Sequence, residues 1–200
     1  MAIYLLFVQH IIASLKPNGK AAIVVPTGFL TEGKGKATNI ANKIRMELVD
    51  QGWLRAVVSM PSNIFATTGT NVSVVFIDKG NQTGQAVLVD ASNLGTTVKE
   101  GKNQKTLLSS DEERKIIDAV NNQTAENGFS VVKTFDEIRT GKYSFNPGGY
   151  FDVESEHVDI TAEEFESAVK EAETKLSAMF GESEELGKKI LSSMRGLKYE

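Results

Sequence analysis

The chain has 200 residues, of which 40% are hydrophobic and 24% charged, and its formal net charge is −4. This composition excludes a disordered or fibrous chain and is sufficient for one medium-sized core, or for one core with an appendage. There is no cysteine, which excludes disulfides, thiolate metal sites and cysteine nucleophiles.

Charge is distributed unevenly along the chain. Lys and Arg outnumber Asp and Glu by 8 to 4 in residues 1 to 80, the ratio is 8 to 9 in residues 81 to 150, and it is 6 to 13 in residues 151 to 200. Because phosphate contacts need clustered Lys and Arg, we expect any nucleic acid to face the first segment. The acidic tail is then expected to meet a protein partner.

The first 51 residues predict a helix, a strand and a second helix. Residues 3 to 16 form a helix packed on a sheet, and the apolar run Ala21 to Val25 is typical of a central strand covered on both faces. A glycine- and lysine-rich loop over residues 28 to 36 leads to a helix over residues 38 to 51. The opening apolar stretch is shorter than the about 20 residues that span a membrane and lacks a basic start, so we expect a soluble cytoplasmic protein without membrane contact.

Strands follow at Leu54 to Ser59 and Val72 to Asp78, separated by the loop Met60 to Thr70. A connection this short, without a helical crossover, favours antiparallel pairing of the two strands. Gln85 to Asp90 is predicted to be a short edge strand, and residues 96 to 104 are predicted to be loose polar chain.

The region after residue 110 begins with the sequence of a capping box. Ser110 is the predicted N-cap and Glu113 its partner, starting a helix that runs to about Asn122. A strand is predicted over Phe129 to Thr134 and a turn of helix over Phe135 to Arg139.

A second capping box, Thr161-Ala162-Glu163-Glu164, starts an acidic amphipathic tail. Its apolar residues follow alternating spacings of four and three: Phe165, Val169, Ala172, Leu176 and Met179. Gly181, Gly187 and Gly196 predict two helices and a frayed end rather than one rod. The stripe is interpreted either as a docking surface for a partner or as intramolecular packing.

Four segments resemble the modification (M) subunit of type I restriction-modification systems: Leu15 to Lys20, Ala21 to Leu30, Met60 to Phe65, and Asn71 to Lys79. The resemblance spans residues 3 to 152. It implies an α/β fold, namely the C-terminal half of a Rossmann-like class I S-adenosylmethionine-dependent methyltransferase sheet, with a parallel strand and an antiparallel final pair. Residues 1 to 152 would form this part of the N6-adenine methyltransferase domain, and residues 153 to 200 a helical subunit-docking tail.

Enzymes of this family methylate adenine N6 in duplex DNA with S-adenosylmethionine, together with a specificity (S) subunit and a restriction (R) subunit. Their glycine-rich cofactor turn and Asn/Asp-Pro-Pro-aromatic motif precede a segment like Leu15 to Lys20, and neither occurs in this chain. We therefore expect no catalytic or cofactor-binding residue here and no activity of the chain alone. A sheet without its first strands should expose an edge, so we expect self-association or capping of that edge by the N-terminal helix.

The loop Met60 to Phe65 is the most specific motif. In methyltransferases that extrude adenine, the corresponding loop lines the pocket for the flipped base. By resemblance, Phe65 is the candidate base contact, with Pro61 and Asn63 shaping the pocket wall. Alternatively, Phe65 only fills the core beneath the loop.

Two further segments invite functional interpretations. The loop Gly28 to Gly35 nearly matches a phosphate-binding loop but lacks its Ser/Thr metal ligand, so Lys34 and Lys36 are interpreted as contacts to DNA phosphates or as solvated side chains. Asn146-Pro147-Gly148-Gly149 lacks the second proline and the aromatic residue of the catalytic motif and predicts a turn.

Other interpretations remain open. The two histidines, His10 and His157, lie far apart in sequence, and we expect no metal site. The missing cofactor motifs are also compatible with a non-catalytic DNA- or protein-binding assembly module. A methyltransferase acting on RNA or on a small molecule is a third alternative, and it would not depend on a specificity subunit.

Overall fold

The computed structural model describes residues 2–65, 70–101, 103–151 and 161–195. They belong to two compact units, Met1–Val153 and Glu154–Glu200. The first unit contains these helices and strands in chain order: α1 (Ile3–Ser14), β1 (Lys20–Pro26), α2 (Ile40–Asp50), β2 (Leu54–Ser59), β3 (Val72–Asp78), β4 (Gln85–Asp90), β5 (Thr96–Glu100), β6 (Asn103–Leu107), α3 (Ser110–Asn122), β7 (Ser130–Thr134) and α4 (Phe135–Thr140). The second unit contains α5 (Ala162–Arg195).

The main sheet has the strand order β1-β3-β2-β4-β7. Strands β2 and β4 are parallel, whereas β3 is antiparallel to both β1 and β2. The pairing of β2 with β3 confirms the antiparallel prediction, and the mixed α/β sheet confirms the predicted fold class. Since β1, β2 and β4 run in the same direction, their carboxyl ends meet at one edge of the sheet.

Strand β4 lies inside the sheet, so its prediction as an edge strand was wrong. It has β2 on one side and β7 on the other. Ala86, Val87, Leu88 and Val89 are all 0% exposed, which requires cover on both faces of the strand. The apolar run contained this signal, because a continuous run without polar alternation is typical of interior strands.

Strand β1 is the opposite case, because it was predicted to be central. Within the described residues it has a strand partner only on its β3 side. Ile23 and Val25 are buried, but Val24 is 52% exposed. After Lys20, its exposed positions carry alanine and valine, and that is why the apolar run did not reveal the exposed face.

Helices cover the two faces of the sheet. On one face α1, α2 and α4 pack on a cluster that includes Ile23, Val25, Leu54 and Val57. On the other face, Ala119 of α3 and its neighbours pack on residues such as Val58 and Val87. Helix α1 is half-buried rather than fully buried: Leu5, Val8 and Ile12 face the core, while the apolar side chains of Ile3, Leu6 and Phe7 are exposed.

Two local predictions need correction. Residues 96 to 104 are not loose chain, because β5 and β6 form an antiparallel hairpin in which Thr96 pairs with Leu107. The capping box of α3 lies one residue earlier than predicted: Ser109 is the N-cap and Glu112 its reciprocal partner. Two serines, Ser109 and Ser110, are followed by three acidic residues, so a capping box starting at either serine fits the sequence equally well.

Helix α5 is one uninterrupted helix over its 34 residues, so the predicted break at Gly181 was wrong. A helical glycine costs only about 1 kcal/mol relative to alanine. A helix of this length can tolerate that cost at two glycines. Thr161 caps it as predicted, with its hydroxyl accepting from the Glu164 N–H. No described residue of α5 is buried, while Gly196 and the predicted frayed end lie outside the described residues.

Among the described helices, none combines the length and apolar character required to cross a bilayer.

Candidate functional site

Two loops lie side by side at the edge where β1 and β2 end. The first follows β1 and the second follows β2. The Thr27 N–H donates to the Asn71 carbonyl (3.0 Å), and the Met60 N–H donates to the Val72 carbonyl (3.0 Å). The Thr27 and Ser73 hydroxyls are 3.1 Å apart. Crevices at the carboxyl ends of strands are the usual ligand sites of open α/β sheets.

The second loop carries the predicted base-pocket residues. Pro61 is buried, and Asn63 adopts a left-handed conformation with φ of 55°. The Asn63 carbonyl accepts a hydrogen bond from the Thr106 N–H of the hairpin (2.9 Å). Phe65 is 48% exposed, so it does not fill the core beneath the loop. The structure therefore anchors the loop at Pro61 and Asn63 and leaves the aromatic ring accessible.

The first loop places Lys34 and Lys36 in solvent. It consists of successive turns, with the Lys34 N–H bonded to the Thr31 carbonyl (3.0 Å) and the Lys36 N–H bonded to the Gly33 carbonyl (2.8 Å). Gly33 has a φ of 64°, and a Cβ there would lie 2.2 Å from Cγ of Asn39. Glycine is therefore required at residue 33 by both backbone conformation and space.

Arg45, on α2, organises this loop from beneath and was missed by sequence reasoning. Its guanidinium is fully buried and donates to the carbonyls of Phe29, Glu32 (2.9 Å) and Tyr143 (2.7 Å). A further bond reaches Oδ1 of Asn42 (2.9 Å). The available signal was an arginine on the same helical face as the apolar stripe of α2, since Ala41, Ile44 and Leu48 are buried around it.

Aromatic rings surround the Arg45 guanidinium. Its central carbon lies 5.7 Å from the ring centroid of Phe29 and 5.9 Å from that of Phe145, within the range of cation–π attraction. Burial lowers the pKa of Arg45 to about 10, so the side chain is charged at neutral pH.

The segment after α4 is tied to the first loop. The Phe145 N–H donates to the Leu30 carbonyl (2.9 Å). Tyr150 donates its hydroxyl to the Ser144 carbonyl (2.7 Å), and burial raises the pKa of Tyr150 to about 12. Pro147–Gly149 forms a short 3₁₀ turn, which confirms the turn prediction for this segment. These bonds place the loop after β1 and the segment after α4 in one framework.

The described side chains at this edge supply aromatic, amide and ammonium groups, which suit base stacking and phosphate binding. No group of three or more His, Asp or Glu residues that could hold a metal ion occurs among the residues that the structure describes. His157 lies outside those residues.

Comparison with known proteins identifies the family of this chain. Residues 2–159 match the family model described as N-6 DNA Methylase. The type I restriction enzyme MjaIX methylase subunit of Methanocaldococcus jannaschii is 27% identical over 97% of this chain and 35% of its own length. The MpnII methylase subunit of Mycoplasma pneumoniae is 34% identical over 78% of this chain and 27% of its own length.

The fold also matches a solved relative. The crystal structure of a type I restriction-modification methyltransferase subunit from Streptococcus thermophilus is 29% identical, with a TM-score of 0.65 over 76% of this chain and 31% of that chain. This chain thus spans about a third or less of the length of these relatives. The chain belongs to the N-6 DNA methylase family, among the methylase subunits of type I restriction-modification systems.

Proposed function

We propose that this chain forms part of a cytoplasmic type I M subunit that transfers a methyl group from S-adenosylmethionine to adenine N6 in duplex DNA. In this proposal the chain contributes part of the wall of the pocket for the extruded adenine. The exposure of Phe65 in a loop that is otherwise anchored is the observation that carries the assignment.

The second loop has the properties that base extrusion requires. An adenine leaving the duplex loses its stacking partners, and an aromatic ring in the pocket replaces them. Stacking of a base on an aromatic side chain is worth about 1–3 kcal/mol. Phe65 presents such a ring, while Pro61 and Asn63 fix the backbone that carries it.

The methyl donor is assigned to sequence outside this chain. The loop after β1 does not fit it, because the Asn39 side chain covers Gly33 and the Arg45 guanidinium occupies the inward carbonyls of Phe29 and Glu32. Neither the glycine-rich turn of the first strand nor the Asn/Asp-Pro-Pro-aromatic motif is present in the chain. By itself the chain is therefore expected to be inactive.

The partners in this proposal are a specificity subunit and a restriction subunit. Both relatives are described as subunits of type I restriction enzymes. Helix α5 offers a docking surface of exposed apolar side chains that include Phe165, Leu176, Leu186 and Ile190. An amphipathic helix of this kind binds into an apolar groove or bundle, and we assign α5 to the specificity subunit.

The test measures adenine methylation by the complete assembly, that is, this chain with its companion subunits. Phe65→Ala is expected to lower the methylation rate by about 5-fold to 160-fold, because a lost stacking contact of about 1–3 kcal/mol converts to that range. Phe65→Tyr should retain activity, since it keeps the ring. Phe7→Ala is the matched control, because Phe7 is also exposed but lies on α1.

Unchanged methylation by a correctly folded Phe65→Ala assembly would contradict the pocket assignment. The second candidate function, a non-catalytic assembly module, is favoured by the exposed stripe of α5. Methylation by the complete assembly separates the two, because loss of activity in a correctly assembled Phe65→Ala variant would refute the module. Stoichiometric binding of S-adenosylmethionine in a calorimetric titration of this chain alone would contradict both candidates, since both leave the methyl donor to sequence outside this chain.

A further inference from the structure

Three lysines from two distant parts of the sequence meet at the first loop. A Cβ built on Gly35 would lie 3.2 Å from Cδ of Lys142, so the stem of Lys142 lies against the residue between Lys34 and Lys36. All three lysines are exposed. We call Lys34, Lys36 and Lys142 the lysine cluster.

The positive charges of the lysine cluster are not neutralised within the described residues. None of its ammonium groups forms an ion pair there, whereas Lys20, Lys115 and Lys133 each bind a carboxylate.

The nearest acidic residue along the loop, Glu32, is engaged elsewhere. Its two carboxylate oxygens accept from Nδ2 of Asn39 and from the hydroxyl of Tyr4, both at 3.3 Å. The lysine cluster is therefore free to bind an external anion.

Backbone donors accompany the ammonium groups. Gly33 and Gly35 have φ values of 64° and 74°, and Lys34 between them has a negative φ. Alternating backbone conformations of this kind can turn successive N–H groups towards an anion. In the part of the chain that the structure describes, the N–H groups of Gly33 and Gly35 are not used in hydrogen bonds.

The two parts of the lysine cluster are held in place by buried contacts. Arg45 binds the carbonyl of Glu32 in the loop and that of Tyr143 in the segment that carries Lys142. Lys142 and Tyr143 both have positive φ, 58° and 56°, a conformation that persists in non-glycine residues only where the surroundings enforce it. The framework thus keeps Lys142 beside Gly35 before any ligand binds.

We propose that the lysine cluster binds a phosphodiester of the DNA backbone, with Lys142 as a contact that acts together with Lys34 and Lys36. This inference rests on the proposed function, because the ligand is taken to be the duplex whose adenine enters the neighbouring loop. Contacts to phosphate position a duplex without reading its sequence.

The test uses this chain with a fluorescent 14-base-pair duplex, whose binding is followed by anisotropy between 50 and 200 mM salt. Each of Lys34→Gln, Lys36→Gln and Lys142→Gln is expected to weaken binding, and the triple Gln variant is expected to reduce the slope of log K against log salt by about 0.9, the value for one lost phosphate contact. Lys142→Arg should retain the slope. Lys16→Gln is the matched control, because Lys16 is exposed and precedes β1 at the opposite edge of the sheet.

Unchanged affinity and slope in the triple Gln variant would overturn the proposal. Absence of binding at about 1 mM chain would also overturn it, since non-specific binding by a basic patch has dissociation constants of about 10⁻⁴ to 10⁻⁶ M. Methylation by the complete assembly is scored separately. Loss of methylation with Phe65→Ala, but no effect of the lysine variants on DNA binding, would refute only this inference, whereas the reverse pattern would refute only the proposed function.

Discussion

Replacing Arg45 with methionine should destabilise the first unit strongly. Methionine fills a similar elongated space but leaves the carbonyls of Phe29, Glu32 and Tyr143 without their donor. Hydrogen bonds to charged groups contribute about 1.5–3 kcal/mol each, but bonds made by one side chain are not additive. Leaving a buried acceptor without its donor costs about 1–3 kcal/mol, so three carbonyls that share one donor group give an expected loss of about 3–5 kcal/mol.

Urea unfolding followed by tryptophan fluorescence measures this loss, because Trp53 packs against the core cluster that includes Phe29 and Phe145, the rings beside Arg45. With a urea m-value of about 2 kcal/mol/M, a loss of about 4 kcal/mol moves the midpoint by about 2 M. Arg45→Lys should fall between wild type and Arg45→Met, since an ammonium keeps the charge but cannot form the planar fork. Arg114→Met is the control, because Arg114 is exposed.

A loss below about 1 kcal/mol for Arg45→Met would refute this reasoning, because it would equal the net value of a single ordinary hydrogen bond. An Arg45→Lys variant as unstable as Arg45→Met would instead show that the fork geometry, and not the charge, supplies nearly all of the stabilisation.

Three further predictions concern other parts of the chain. Hydrogen bonds from the Ser109 N–H, the Gly95 N–H and the Ser109 hydroxyl lower the pKa of Glu112. The stabilisation by the Glu112 carboxylate is therefore complete above the ordinary carboxyl pKa and is lost as pH falls through the lowered pKa. Between pH 7 and pH 3 the urea midpoint should fall more for wild type than for Glu112→Gln, and equal falls would contradict this prediction. If the β1 edge is covered by self-association rather than by the N-terminal helix, Val24→Lys should abolish that self-association, as measured by sedimentation against the exposed control Val98→Lys. A wild type that is strictly monomeric and has no cover on this edge would refute the expectation. Gly181→Ala should stabilise α5 by about 1 kcal/mol, raising the helical circular dichroism of a peptide of residues 161–195, whereas reduced helicity would show that the glycine has another role.

The sequence predicted strands and helices well where local patterns determine them. The bounds of β2, β3 and β4 agree with the apolar, β-branched runs, and the short connection between β2 and β3 correctly implied antiparallel pairing. The sequence could not predict which strands lie at the edges of the sheet, because an edge position depends on partners that are distant in sequence. An apolar run such as that of β1 fits a strand covered on both faces and equally one whose second face carries small apolar residues.

The candidate site was predicted only in part. Residues 60–65 were found because they form a contiguous motif, and the structure brings their loop beside the loop that carries Lys34. Whether Phe65 contacts an adenine stays a prediction. Lys142 could not be found, since 106 residues separate it from Lys36 and no local pattern connects the two. Its contact with Gly35 exists only through the folded segment after α4.

Arg45 shows how a surface loop can determine the composition of a core. Buried ion pairs can often be exchanged for apolar residues without loss of stability, so burial of an arginine alone would be weak support for its importance. Here the partners are backbone carbonyls of an irregular loop and of the segment that carries Lys142. Those carbonyls turn inward, and buried carbonyls require donors, which no apolar side chain supplies. The loop exposes Lys34 and Lys36 while the carbonyls of Phe29 and Glu32 face the core, and the buried guanidinium satisfies those carbonyls.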